Sequence, residues 1–154
     1  MTTATTTLLH GPFGAELVHA GSDVSVVEHP IAPRTLAGPS HVHRNEDEYS
    51  YVLEGEVGFE IGDEVRTARA GELVAKPRGV PHAFWNATDE PARVLELIVP
   101  GGFEQYFAEL GELIPPALPA PDIEGLARLQ ERYRLEMDFS SIERLSREHG
   151  LGSP

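Results

Sequence analysis

The sequence has no cysteine, which excludes disulfides, iron–sulfur clusters, thiolate metal sites and cysteine nucleophiles together. Any metal must therefore be held by nitrogen and oxygen. Basic residues are few: 12 Lys and Arg stand against 25 Asp and Glu, for a formal net charge of −13. That balance argues against a broad nucleic-acid or anionic-membrane surface. Long apolar runs are missing too, since none approaches the roughly 18 residues that a membrane span needs. The segment Met1 to His10 has no basic n-region and no apolar h-region, so it does not read as a signal peptide. The expectation is a soluble cytoplasmic protein with neither nucleic acid nor membrane as partner. Its 154 residues, 40% of them hydrophobic, suffice for one domain with a real core.

What is present is a β texture of short apolar runs cut by glycine and proline. Residues 1–13 form a threonine-rich lead, an irregular arm or an edge strand. Strands are expected over 16–19, 23–29, 40–43, 49–54, 57–61, 64–68, 73–76, 83–87 and 92–99, with turns at Gly55, Gly62-Asp63, Ala70-Gly71 and 88–91. Many short strands with frequent turns indicate a sandwich or barrel. After Pro100 the texture changes. Phe103, Phe107 and Leu110 recur at helical spacing, with Gly111 placed to stop that helix. A proline-rich connector over 115–121 is expected to be stiff and extended. Leu126, Leu129, Tyr133 and Met137 then mark one face of a second helix with Asp122 as N-cap. Ser140 to Glu143 reads as a capping box opening a third helix, with Ile142 and Leu145 inward. The expected organisation is a barrel with an N-terminal arm over 1–100 and a helical extension over 101–154, packed on the barrel or on a partner, within a single domain overall.

Two patterns carry the chemistry. The first is His41-Val42-His43, then Glu48, then Gly55; the second is Gly71, Pro77, Gly79, His82 and Asn86. On a strand, residues two apart share a face, so His41 and His43 can share one ion. Glu48 can reach back across a short polar turn, and His82 arrives from another strand pair, giving a site built across two hairpins. Three imidazoles and one carboxylate suit one divalent transition metal, Fe, Mn, Co, Ni, Cu or Zn. Gly71 and Gly79 supply turn conformations closed to other residues, and Pro77 sets a rigid strand entry. The face of His82 is shared by Phe84 and Asn86, and that of Glu48 by Ser50 and Val52. With Phe59 from the next strand, these are the candidate substrate-pocket residues: Phe84, Asn86, Val52 and Phe59. Such a wall suits a flat, apolar, oxygenated small molecule. Trp85 points the other way, into a second sheet or an interface. His10, His19, His29 and His149 have no partners at ligand spacing and read as surface residues, as Glu46 and Asp47 read as a solvated turn.

The two patterns resemble the signature motifs of the cupins, over roughly 30–100. The resemblance implies a mainly β fold, the cupin double-stranded β-helix or jelly-roll barrel, here followed by C-terminal α-helices. It implies His41, His43, Glu48 and His82 as metal ligands. One departure is Thr35, which stands where the family's first motif opens with glycine; Gly38 can serve instead. The single barrel followed by Pro-Gly-Gly-Phe-Glu-Gln-Tyr-Phe (100–107) and terminal helices looks like quercetin-dioxygenase-like proteins. That likeness implies O2-dependent cleavage of a flavonol-like or other phenolic or enolic molecule, with Glu48 as both ligand and catalytic proton acceptor. A non-oxidative metalloenzyme, such as a polyketide cyclase or isomerase using a Lewis-acid metal, is the alternative; a non-catalytic binding protein is another. The family's habit and the outward Trp85 make a homodimer the expected assembly.

Overall fold

A computed structural model describes residues 6–114 and 122–152; the connector expected over 115–121 lies outside the described residues. In chain order the elements are β1 (Thr6–Leu9), β2 (Ala15–His19), β3 (Ser25–Ile31), β4 (Thr35–Leu36), β5 (Ser40–His43), β6 (Asp47–Glu54), β7 (Glu56–Ile61), β8 (Glu64–Arg69), β9 (Leu73–Lys76), β10 (His82–Asn86) and β11 (Ala92–Val99). Then come α1 (Glu104–Leu113), α2 (Ile123–Arg132), β12 (Leu135–Asp138) and α3 (Ser141–His149). They form two antiparallel sheets, ordered β1-β2-β3-β11-β6-β9 and β12-β5-β10-β7-β8, with β4 beside β10.

Side-chain alternation decides which residues face the interior. On β3 these are Ser25, Val27, His29 and Ile31, and on β11 Ala92, Val94, Glu96 and Ile98. One apolar cluster joins Ile31, Val52, Val57, Phe59, Val74 and Phe84 between the sheets. A second joins Leu9, Val27 and Ile98 to Phe103, Phe107, Leu129 and Leu135 from the C-terminal elements. Full burial of such side chains contributes about 1.5–3 kcal/mol each, so the C-terminal segment is an integral part of the packing.

The connections differ from the expected hairpins. β5 and β6 lie in different sheets, as do β9 and β10, so each motif crosses the barrel instead of folding back on its neighbour. Glycine stands where expected at two turns: Gly71 between β8 and β9 and Gly79 in the β9–β10 crossing adopt φ of 93° and 78°, which side chains resist.

The C-terminal segment departs further. α1 runs through Gly111 to Leu113. A Cβ at Gly111 would meet the Leu8 carbonyl oxygen at 2.8 Å, so the glycine permits close packing on β1 and does not end the helix. Asp122 does cap α2, accepting from the Gly125 N–H at 2.9 Å. Met137 is not on that helix: Arg134 turns the chain at φ 50°, and Met137 lies in β12. The capping box of α3 does not form. The Ser140 hydroxyl donates to Asp138, while Ser141 leads the helix and accepts from the Ser40 N–H at 2.8 Å. Leu145 is buried as expected, under Trp85.

Trp85 is 3% exposed, stacked on His149 at 4.0 Å between ring centres. The chain's own α3 covers it, so it offers no dimer contact. His149 is thereby half-buried and not a free surface residue. Among the described residues no helix is long and apolar enough to cross a membrane.

Candidate metal centre

His41 and His43 project from β5, and His82 from β10 directly opposite His41. Glu48 comes from β6 in the facing sheet. The structure brings these four side chains together: one ligand atom from each lies within 4.8 Å of all the others. Ligands bonded to one ion at about 2.1 Å stand at most about 4.2 Å apart, so a small contraction closes the set. His43 Nε2 is 2.5 Å, and His82 Nε2 3.6 Å, from Glu48 Oε1.

The second ring nitrogens of His41 and His82 are hydrogen-bonded, and that of His43 faces a carboxylate. His41 Nδ1 meets the Pro39 carbonyl at 2.8 Å, His82 Nδ1 the Val80 carbonyl at 3.2 Å, and His43 Nδ1 the Glu46 carboxylate at 3.5 Å. In His41 and His82, Nδ1 therefore carries the proton that it donates outward, and Nε2 turns its lone pair inward, as metal-binding imidazoles are oriented; His43 instead points Nε2 at Glu48 Oε1. Glu46 is 7% exposed and places its carboxylate beside His43, against its expected place in a solvated turn. Asp47 stays at the surface, paired with Arg78.

Charge within the cluster follows from burial and neighbours. Burial, then the other two imidazoles, push His41 well below the usual histidine range, and burial also lowers His82. Both are neutral and ready to bind. Burial pulls His43 down as well, but the carboxylates of Glu48 and Glu46 outweigh it and raise it to about 9. Burial raises Glu48, and the positive charges of His43 and Lys76 outweigh that and hold it well below the usual carboxylate range. His82 Nε2 and Glu48 Oε1 have no hydrogen-bond partner. Inward lone pairs beside a buried carboxylate are costly unless a cation joins them, so the donor set fits a divalent transition metal.

Above the imidazoles lies a cavity of about 230 Å³. Its walls are mostly apolar: Phe13 and Phe84 from the barrel, Phe103 and Phe107 from the start and body of α1, Leu135 and Met137 from β12. The register of β12 places Leu135 opposite His43 and Met137 opposite His41, so the C-terminal strand builds the wall next to the cluster. Of the pocket residues expected from sequence, only Phe84 lines this space. Val52 and Phe59 are wholly buried in the apolar cluster between the sheets. The Asn86 side chain is spent on a turn, donating to the Ile31 and Glu90 carbonyls and accepting from the Thr88 N–H.

Three polar residues near the site escaped the sequence reading. His29 is not at the surface: it lines the cavity, donates from Nδ1 to the Gly14 carbonyl at 2.8 Å, and burial lowers it to about 4. Lys76 and Glu96 form a buried ion pair at 2.7 Å, and the Ser50 hydroxyl donates to Glu96 at 2.7 Å. Burial pushes the Glu96 carboxyl up against the pull of Lys76. The available signal was phase: each sits at an inward position among apolar neighbours, His29 between Val27 and Ile31, Lys76 two after Val74, Glu96 between Val94 and Ile98.

Residues 27–98 match the family described as the Cupin domain. Match and architecture together support the cupin superfamily, with the double-stranded β-helix as the fold. A protein with a double-stranded β-helix domain from Klebsiella pneumoniae is 24% identical, over 62% of this chain and 85% of its own, at TM-score 0.55. KdgF from Halomonas sp. is 20% identical over 61% and 84%, at TM-score 0.57. An oxalate decarboxylase variant from Bacillus subtilis is 23% identical over 63% of this chain but 28% of its own, at TM-score 0.55. At these identities the likeness is one of fold. No curated protein matches the chain.

Proposed function

We propose that the protein is a metal-dependent dioxygenase acting on a small phenolic or enolic molecule, with His41, His43, Glu48 and His82 as the metal ligands. The observation that carries the reading is the cluster itself: three converging imidazoles, two of them held at Nδ1 with Nε2 inward, beside an ionised carboxylate under an apolar cavity. A divalent transition metal held there supplies Lewis acidity and a redox centre for O2 chemistry. The chain's own residues do the rest. Glu48 Oε1 takes the proton of the substrate hydroxyl. The rings of Phe84, Phe103 and Phe107 hold the apolar body and exclude water. The cavity is smaller than the roughly 300–1,000 Å³ of ordinary ligand sites, which favours a one-ring phenol or enol over a three-ring flavonol. Oxygen uptake by metal-loaded protein with a panel of catechols, enols and flavonols tests this.

Glu48 beside His43 also supports a second reading, a non-oxidative isomerase or cyclase, because an internal base next to a Lewis acid needs no oxygen. Turnover of the same panel under anaerobic conditions would select it.

A further inference from the structure

The sequence contains a single lysine, and it is wholly buried. A buried ammonium needs an acceptor. Lys76 Nζ lies 2.7 Å from Glu96 Oε1, 3.8 Å from Glu48 Oε2, and 4.4 Å from the centre of the Phe84 ring. The strand register sets this arrangement. Lys76 on β9 stands directly opposite Glu48 on β6, and Glu96 on β11 directly opposite Ser50 on β6. Ser50 anchors the far oxygen of Glu96. Were Glu96 not there, the ammonium would have Glu48 as its carboxylate partner, and the two would close on each other. That pairing would compete for the one carboxylate in the imidazole cluster.

We propose that Glu96 is a positioning residue that draws Lys76 away from Glu48 and so keeps Glu48 available to the metal. It acts through Lys76 and touches neither metal nor substrate. The inference rests on the metal-centre reading above and adds a second layer to it.

The test is titration of metal-free protein with Co(II) at pH 8, followed by visible absorption, with thermal unfolding in chelator as a check on folding. Glu96→Gln is expected to bind Co(II) about 10–100-fold more weakly than wild type, the usual cost of losing a second-layer partner. The double variant Lys76→Met/Glu96→Gln, which has no ammonium to compete, is expected to recover most of that loss. A merely structural role for the pair would not produce recovery when both partners are gone. If Glu96→Gln does not fold, Lys76→Met alone carries the test and must bind at least as tightly as wild type. A Glu96→Gln protein that titrates like wild type, a double variant no tighter than Glu96→Gln, or a weaker Lys76→Met overturns the proposal. Wild-type protein that takes up no Co(II) would instead sink the metal-centre reading, and this inference with it.

Discussion

His43 and Glu48 meet across the gap between the two sheets, with Nε2 2.5 Å from Oε1. Without metal, this contact stores a proton on His43, which the carboxylates of Glu48 and Glu46 hold up to about 9. A metal must displace that proton, because only the neutral imidazole binds. Below about pH 9, binding should release one proton through His43, and affinity should rise about tenfold per pH unit. His41 and His82 are lowered and add no proton near neutrality. Calorimetry in buffers of different ionisation enthalpy at pH 7.5 counts the protons; a count of zero contradicts this account of the pair.

Replacing two of the imidazoles should empty the centre without unfolding the barrel. In His43→Ala/His82→Ala, two ligands remain, one from each sheet, too few for a stable transition-metal site. Metal content after purification should fall from near one per chain to trace levels. Because charged and polar groups leave the interior with their partners only partly compensated, a moderate loss of stability is expected as well. Equal metal content in variant and wild type would show that these residues are not the ligands.

The outer face of β10 offers an independent check on the packing. Gly58 stands opposite Trp85 in the register, and a Cβ there would lie 2.2 Å from the indole Nε1. Gly58→Ala must therefore displace the ring from its stack on His149. Overpacking of this kind costs about 1–3 kcal/mol. Trp85 is the only tryptophan, so its fluorescence reports the displacement directly. A blue-shifted, unchanged spectrum with an unchanged denaturation midpoint would mean that Trp85 sits elsewhere.

Much of this was legible in the sequence where local rules operate. The strands Ser40–His43, Leu73–Lys76 and Ala92–Val99 have the bounds that turn residues and alternation indicate, and the four residues singled out by spacing do converge. What escaped depends on distant partners. Nothing within Leu126 to Met137 announces that the chain leaves the helix at Arg134 to pair with β5; the apolar spacing fits a helix, and a four-residue strand is too short to show its own period. Val52 and Phe59 do face inward, but into the apolar cluster between the sheets, and the pairing of β12 with β5 brought Leu135 and Met137 to the cavity. His29 read as a surface residue, and Lys76 and Glu96 drew no reading, because burial of a polar side chain becomes legible only with its partner, and each partner lies on another segment.

His29 makes the last of these points measurable. Burial lowers it to about 4 from the ordinary 6.5, so between these values the unfolded chain takes up a proton that the folded protein refuses. Linkage fixes the sign: the contribution is fully present above about pH 6.5 and is lost as pH falls towards 4. By pH 4.5 the loss amounts to about 2.5 kcal/mol. His29→Phe removes this titration, and a phenyl ring suits a position flanked by Phe13 and Phe107 at 4.6 and 5.0 Å between ring centres. The variant leaves the Gly14 carbonyl without its donor, a cost of about 1–3 kcal/mol that is the same at every pH. Its stability in urea with chelator present should start lower at pH 7 but fall less steeply towards pH 4.5. His41 and His82 titrate in both proteins and cancel in the comparison. Parallel profiles for the two proteins would place His29 in contact with water and remove it from the cavity wall.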